Sequence, residues 1–237
     1  MDRVRPLAFV CIAFCSGWSS AAGQRVIFVD AAAEGTGDGA SWTDAFANLP
    51  SALALSEPGD QVWVAAGSYR AGSSRADTFR LREEVEIFGG FAGNEDPAAF
   101  ALSHRNLSLN ETVLEGDIGT AGPVDNVFHI VTAENVTRTA LLDGFTIANG
   151  NASGLTLMQQ DVGGGLFIVN ASPTIRHCLI RDTQAGSRGG AVHIAGGSPY
   201  FAHCRFVGNR TTVTQSANNI GGAVYFAGTA TSMAAPA

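Results

Sequence analysis

A 26-residue repeat limits the folds open to this chain more than any other feature of its sequence. The hexapeptide GGGLFI at positions 163–168 returns as GGAVHI at positions 189–194, and a third copy begins at Gly221. The same 26-residue shift relates two pairs of dipeptides, Ser172-Pro173 with Ser198-Pro199 and His177-Cys178 with His203-Cys204. A fixed period of this length is typical of stacked supersecondary units that bury their apolar faces on one another.

The residues inside each period favour β-strands and leave no room for a helix. Apolar residues alternate at period two in one segment of each copy, at Leu166/Ile168, Val192/Ile194 and Val224/Phe226. A second short strand or bent pair follows at Ile175/Cys178/Ile180 and Phe201/Cys204/Phe206, and a weaker copy at positions 142–147 corresponds to positions 175–180. Gly, Asn, Asp and Ser-Pro lie between these segments, where tight corners are needed. The pattern predicts an all-β parallel β-helix with two or three strands per coil.

The front of the chain predicts a cap for this stack. Val26–Asp30 has a strand pattern, and apolar residues then recur at the spacing of a short amphipathic helix, with Pro50 as an expected kink: Trp42, Phe46, Leu49 and Leu53. We therefore assign residues 24–70 to an N-terminal strand and capping region and residues 71–237 to the coils. The third copy lacks its Ser-Pro and Cys half, so we expect a truncated chain, or one that has lost an anchor or transporter domain.

Two motifs of the repeat resemble those of a known family. Phe206 and Asn209 have the spacing FxxN, and they lie between two Gly-Gly-Ala-Val motifs, at Gly189, Gly190, Ala191, Val192 and at Gly221, Gly222, Ala223, Val224. These residues resemble the paired GGA[ILV] and FxxN repeats of polymorphic outer-membrane proteins, and more broadly the right-handed β-helix proteins of bacterial surfaces. The resemblance spans about residues 26–228. It implies a right-handed, single-stranded parallel β-helix (solenoid) of the pectate-lyase-like type, with a short N-terminal capping helix.

Residues 1–23 have the layout of a secretory signal peptide. Arg3 and Arg5 precede a short apolar run, and small residues follow at 19–23. This layout predicts a protein that is secreted, extracellular or held at a bacterial cell surface. No later segment has the roughly 20 apolar residues of a transmembrane helix, so we expect no membrane span in the mature chain.

Cleavage of the signal peptide would leave two cysteines, Cys178 and Cys204. The repeat places them as equivalent inward residues of adjacent coils, within reach of each other. Parallel Cβ vectors aim the two sulfur atoms poorly for a disulfide. We therefore predict a pair of stacked free thiols.

Composition and missing motifs argue against most catalytic chemistry. A formal charge of −7 disfavours nucleic-acid binding, and all 14 basic residues are Arg, which excludes a Lys base. The acidic residues fall at scattered phases of the repeat, and His177 and His203 are interpreted as corner residues because no third metal ligand is apparent. We assign no catalytic residue, metal ligand or cofactor. One alternative stays open, a pectate-lyase-like polysaccharide lyase with an Arg base and Ca²⁺.

One row of side chains is a candidate ligand-binding face. If Val192 and Ile194 point inward, His193 points outward, and the repeat places Phe167 and Tyr225 in the same row, about 4.8 Å apart along the stack. Such a flat series of rings would suit an adhesin-like, non-catalytic surface module that binds an extracellular polysaccharide or a surface protein. A purely stabilising stack is the other interpretation. Because the rings point outward, we expect replacement of Phe167 and Tyr225 by Ala to leave the fold intact.

Overall fold

The computed structural model describes residues 24–119, 122–212 and 221–227. The predicted signal peptide therefore lies outside the described residues. Within them the chain forms nineteen strands, one α-helix and two short 3₁₀ turns. Every strand pair is parallel, which confirms an all-β parallel β-helix.

The strands stack into three main sheets and a narrow fourth sheet. Sheet A contains β1 (Val26–Val29), β2 (Gln61–Ala65), β5 (Glu86–Phe91), β8 (Leu141–Asp143), β12 (Thr174–Arg176) and β16 (Tyr200–Ala202). Sheet B contains β3 (Gly67–Arg70), β6 (Thr112–Glu115), β9 (Thr146–Ala148), β13 (Leu179–Arg181) and β17 (Arg205–Val207). Sheet C contains β4 (Phe79–Arg80), β7 (Val131–Glu134), β11 (Leu166–Val169), β15 (Val192–Ala195) and β19 (Val224–Phe226). Sheet D contains β10 (Asn151–Ala152), β14 (Gln184–Ala185) and β18 (Arg210–Thr211).

The register of these sheets reproduces the sequence repeat. His193 pairs with Phe167 on one side and with Tyr225 on the other, as the alignment of the three Gly-Gly copies requires. The weaker copy is also confirmed, because Leu142 pairs with Ile175 and residue 147 pairs with residue 180. Each regular coil therefore runs through sheets C, A, B and D in turn.

The interior of the coil is a continuous apolar column. Ile147, Ile180 and Val192 are fully buried, and Ile194 is 6% exposed. Phe201 and Phe206 are half-buried and pack against this column. Each fully buried aliphatic side chain contributes about 1.5–3 kcal/mol to folding, so the stack of such residues holds successive coils together.

The corners of the coil are made by residues in the left-handed region of φ. One such residue follows each strand of sheets A, B and C in the three regular coils. These corner residues are Asn135, Asn170 and Gly196 after sheet C, Gly144, His177 and His203 after sheet A, and Asn149, Asp182 and Gly208 after sheet B. Gly, Asn and Asp tolerate this conformation best, which accounts for their periodic occurrence. The interpretation of His177 and His203 as corner residues is confirmed.

The four connections differ in how constant their lengths are. In the three regular coils the corners from sheet A to B and from sheet B to D are always two residues long. The connection from sheet D to C is short in one coil, at positions 186–191, and about twice as long in the other two, at positions 153–165 and 212–223. Variation in coil length is therefore concentrated at one edge of the solenoid.

The Gly-Gly-Ala-Val and FxxN motifs both have structural roles. A Cβ on Gly190 would overlap the carbonyl oxygens of Arg210 and Gly222, so the second Gly of the motif is required by close packing of coils. Asn209 binds the preceding coil, because its Oδ1 accepts from Thr183 N at 3.1 Å and its Nδ2 donates to Ile180 O at 2.8 Å. The Asn of FxxN thus joins one coil to the next.

The N-terminal helix is shorter than its apolar spacing predicted. Helix α1 spans Leu49–Leu55 and is capped by the side chain of Asn48. Pro50 lies in its first turn, where the missing N–H costs nothing, so it starts the helix and does not kink it. Trp42 and Phe46 precede the helix; Trp42 packs against a second aromatic cluster on the outside of sheet A. The helix lies against β1, β2 and β4, the first strands of sheets A and C.

Candidate ligand-binding cleft

A cleft of about 700 Å³ opens at the edge of the solenoid where sheet D connects to sheet C. Its walls come from two consecutive connections, at residues 153–162 and 186–188, and it also contacts His193 and Thr212. Apart from Val162, the lining residues are glycines or carry hydroxyl, amide, imidazole or charged groups. The residues of the cleft therefore offer a ligand several hydrogen-bond donors and acceptors.

Asp161 ties the two walls together. Its Oδ2 accepts hydrogen bonds from Thr156 Oγ1 at 2.9 Å and from Ser187 Oγ at 3.0 Å. Its backbone carbonyl accepts from Ser187 N at 2.8 Å, and the side chain is almost fully buried. Because the carboxylate already binds two hydroxyl groups across the cleft, its main effect is to fix the spacing of the walls.

The outward row of rings runs along sheet C beside the cleft. The ring centroids of Phe167 and His193 are 5.8 Å apart, and those of His193 and Tyr225 are 5.3 Å apart, with near-parallel planes. The stacked row predicted from the repeat is confirmed, and His129 extends it, 4.7 Å from Phe167. We call these four residues the ring ladder.

The ring ladder is not an open platform. Phe167 is 7% exposed and His193 is 4% exposed, so their faces contact each other and not the solvent. Because Phe167 is buried and Tyr225 is half-buried, we expect replacement of Phe167 by Ala to destabilise the fold, and this stays a prediction. His193 is the member of the ladder that lines the cleft.

The surroundings of His193 keep its imidazole neutral. Burial lowers its pKa to about 4, the positive charge of Arg188 and the neighbouring His129 act in the same direction, and Asp161 opposes them. The Nδ1 atom is buried and has no hydrogen-bond partner among the described residues. At neutral pH this ring is an uncharged group with one free hydrogen-bonding position.

Arg188 is the cation of the cleft. Its guanidinium carbon lies 5.2 Å from the centroid of the Tyr225 ring. Its Nε is buried without a hydrogen-bond partner in the described part of the chain, and no carboxylate there lies within ion-pair distance of it. Arg188 lies 26 residues after Val162, with which its backbone forms a bridge, so the repeat predicts its place but not the role of its side chain.

A second polar cluster surrounds Asp143 at the corner between sheets A and B. The carboxylate is 1% exposed and pairs with Arg105 at 3.1 Å, Arg176 at 2.6 Å and His177 Nδ1 at 2.9 Å. His177 stacks on His203 with centroids 5.0 Å apart. We call these two histidines the corner pair. Arg105 donates to the carboxylate of Asp143 and to backbone carbonyls, so the buried groups of this cluster bind one another and stabilise the packing of the corner.

Cys178 and Cys204 are both free thiols. Burial raises the pKa of Cys178. A hydrogen bond from Cys178 lowers the pKa of Cys204 to about 7, despite partial burial. The two groups therefore interact as a donor–acceptor pair of adjacent coils.

Two kinds of site are missing from the residues that the structure describes. None of their His, Cys, Asp and Glu side chains form a group of three or more placed to hold a metal ion. Nor does any helix in that part of the chain have the length and apolar character needed to cross a bilayer.

A comparison with protein families places the chain. The family model described as a protein of unknown function, DUF1565, matches residues 32–232. The chain belongs to this family. No curated protein and no solved structure gives a match. For this member of DUF1565, the geometry of the cleft is the feature that indicates a function.

Proposed function

We propose that this DUF1565 member is a non-catalytic ligand-binding β-helix module that takes an extracellular glycan into the cleft beside its ring ladder. The observation that supports the proposal is the unsatisfied polar character of the cleft. Arg188 Nε and His193 Nδ1 are buried without partners among the described residues, and both residues line the cavity. Buried polar groups normally find partners, and a ligand rich in hydroxyl groups would supply them.

The composition of the cleft favours a sugar over an apolar ligand. Sites for apolar small molecules are lined mainly by hydrophobic and aromatic side chains. Here the walls present Thr156, Gln159, Ser187 and Thr212, which donate and accept hydrogen bonds. A cavity of about 700 Å³ is also in the size range of ligand sites, so it has room for a short oligosaccharide.

The carboxylate content of the cleft favours binding over lyase chemistry. A Ca²⁺ ion takes six to eight oxygen ligands, commonly from several carboxylates. Asp161 is the one carboxylate among the described lining residues, and one of its oxygens already accepts two hydroxyl donors. The polysaccharide lyase with an Arg base stays as the alternative that the experiment below must separate.

Export and surface location are part of the same proposal. The signal-peptide layout of residues 1–23 supports secretion or display at a bacterial cell surface. The Gly-Gly-Ala and FxxN motifs, which join coils through Gly190 and Asn209, support a solenoid similar to that of polymorphic outer-membrane proteins. An adhesin-like role would follow from a glycan site on such a scaffold.

A glycan array followed by calorimetry tests the proposal. Thr212 is an exposed lining residue, so Thr212→Trp should fill the cleft and weaken binding of any array hit at least tenfold. Ser198→Trp is the matched control, because Ser198 is exposed at the opposite connection and should leave affinity unchanged. No glycan ligand, or a ligand indifferent to Thr212→Trp, would count against the proposal. Unsaturated product from a uronate polymer with Ca²⁺ would favour the lyase.

A further inference from the structure

Arg188 differs from the other arginines of the described chain in having a buried guanidinium nitrogen without a partner there. Arg25, Arg80, Arg105, Arg176 and Arg181 pair with carboxylates, and Arg70, Arg75, Arg82 and Arg210 donate to backbone or side-chain oxygens. Arg138 and Arg205 are exposed to solvent. Arg188 has a buried Nε without an acceptor in the described residues, although it lines the cleft. A buried guanidinium N–H is stabilised only when an acceptor reaches it.

From this contrast we infer that the ligand of the cleft is an acidic glycan, and that Arg188 binds its anionic group. The inference rests on the proposed function and adds the charge of the ligand. An Arg fork matches a planar carboxylate with two parallel hydrogen bonds, and a sulfate ester presents similar oxygen atoms. The common chemistry is an oxyanion on a sugar.

The backbone and a ring hold Arg188 in place before any ligand binds. Gly163 N donates to the carbonyl of Arg188 at 3.1 Å, and Val162 forms a parallel bridge with Arg188. The guanidinium also lies over the Tyr225 ring. These contacts join the two walls of the cleft at Arg188, so little ordering of the wall is needed on binding, and preorganisation of this kind favours affinity.

Asp161 is the acidic group of the described lining, and its Oδ2 already accepts hydrogen bonds from Thr156 and Ser187. Arg188 is the cationic residue of that lining and attracts a ligand anion. Neutral hydroxyl groups of the same ligand suit the rest of the wall. The neutral imidazole of His193 adds a hydrogen-bonding position without a second charge.

The net negative charge of the chain gives no long-range attraction for an acidic sugar. With a formal charge of −7, the protein does not attract polyanions at long range, so selectivity for an acidic sugar must come from the cleft itself. A single ion pair with a partly buried guanidinium predicts a weaker dependence of affinity on salt than that of a basic surface patch.

Calorimetry of the full chain with matched oligosaccharides tests the inference. The ligands are a uronate trisaccharide, its carboxyl-reduced neutral counterpart and a sulfated analogue. We expect at least tenfold tighter binding of one acidic sugar than of the neutral one; the uronate and sulfate arms identify the oxyanion. Arg188→Gln should abolish that preference, because it weakens binding of the acidic sugar at least tenfold and that of the neutral sugar by a smaller factor. Arg205→Gln is the control, because Arg205 is exposed on sheet B.

The outcomes separate the inference from the proposed function. Equal binding of acidic and neutral sugars, or a preference that survives Arg188→Gln, overturns the inference and leaves a glycan site. Binding of no sugar overturns both. Arg188→Lys keeps the charge without the fork and should retain only part of the preference. Circular dichroism checks the fold of each variant, and the lysine variant carries the test if the glutamine variant does not fold.

Discussion

The ring ladder and the corner pair both place histidines in stacks between neighbouring coils, but the polar groups around them differ. His193 in the ladder is 4% exposed, and its Nδ1 has no partner among the described residues. His177 in the corner pair has a side chain 42% exposed, and its Nδ1 lies 2.9 Å from the buried carboxylate of Asp143. The register stacks Phe167 on His193 and His177 on His203, whereas Arg105 reaches Asp143 from a connection outside the repeat.

The difference shows where in the solenoid polar atoms have partners and where they do not. At the corner, Arg105 and Arg176 both pair with the buried carboxylate of Asp143. At the ladder, Arg188 and His193 have nitrogen atoms beside a cavity that find no partner among the described residues. Four measurements would sharpen or break this contrast.

The largest effect is expected from the buried carboxylate of the corner cluster. Asp143→Asn leaves the guanidinium of Arg105, whose side chain is 7% exposed, without a countercharge. Loss of one partner of a buried pair costs about 3–5 kcal/mol of unfolding free energy. Urea unfolding measures it, and Asp182→Asn, which removes an exposed pair with Arg181, should cost less than about 1 kcal/mol. Equal costs would show that the corner cluster is not a closed buried network.

Removal of the central ring of the ladder should be the next largest effect. Phe167→Ala empties a buried position between His129 and His193 and should cost about 3 kcal/mol, as other buried phenylalanines do. His203→Ala removes an exposed ring of the corner pair and should cost less than about 1 kcal/mol. Chemical unfolding compares them. If Phe167→Ala leaves the free energy of unfolding unchanged, packing of the ring ladder does not stabilise the fold.

Acid should weaken the ladder through His193. Its folded pKa of about 4 is below the value near 6.5 of an unfolded chain, so the unfolded state binds more protons between these values. Stability must therefore fall as pH is lowered through this window, by about 1–2 kcal/mol between pH 7 and pH 5. His193→Phe should remove this part of the loss, measured as the difference between urea midpoints at the two pH values.

The residual acid sensitivity of that variant has a second source. Burial also lowers the pKa of His129, which acts with the same sign. The double change His193→Phe with His129→Phe should be nearly flat between pH 7 and pH 5.5, above the titration of most carboxylates. An unchanged slope in both variants would place the acid response elsewhere in the molecule.

The smallest expected effect is a difference in reactivity between the two thiols. Cys11 and Cys15, which lie in the predicted signal peptide, are first replaced by Ser. Alkylation of the native protein at pH 8 should then label Cys204 first, because its pKa is lowered to about 7 and that of Cys178 is raised. Unfolding without reductant should then release two reactive thiols in total. If none reacts after unfolding, the two cysteines form a disulfide.

The repeat predicted the coil because register and periodicity are carried by the same residues. Phe167, His193 and Tyr225 were placed in one row from spacing alone, and they stack as that row requires. Burial of the row was not predictable in this way, since it depends on side chains and connections beyond the paired strands. The short helix was placed correctly at Leu49 and Leu53, but Trp42 and Phe46 matched its spacing without being part of it.

The corner cluster and one end of the ring ladder depend on residues that no repeat relates. Arg105 comes from a connection between β5 and β6 with no counterpart in later coils. His129 joins the ladder although Thr132 is the residue in register with Phe167. The 26-residue shift does relate the walls of the cleft, since it pairs Val162 with Arg188 and Asp161 with Ser187. The residue types differ between these copies, so the repeat predicts the contact of the walls but not the guanidinium between them.

The unequal connections from sheet D to sheet C have a consequence for how such a protein can be re-engineered. Two-residue corners fix the turns from sheet A to B and from sheet B to D, so insertion there shifts every downstream side chain to a new phase. At the cleft edge, the short connection at 186–191 and the long ones at 153–165 and 212–223 all return the chain to the same register. Loop closure costs only about 0.6 kcal/mol per doubling of length. The walls of the cleft can thus be replaced by other loop sequences, by grafting or by library selection, without redesign of the coil.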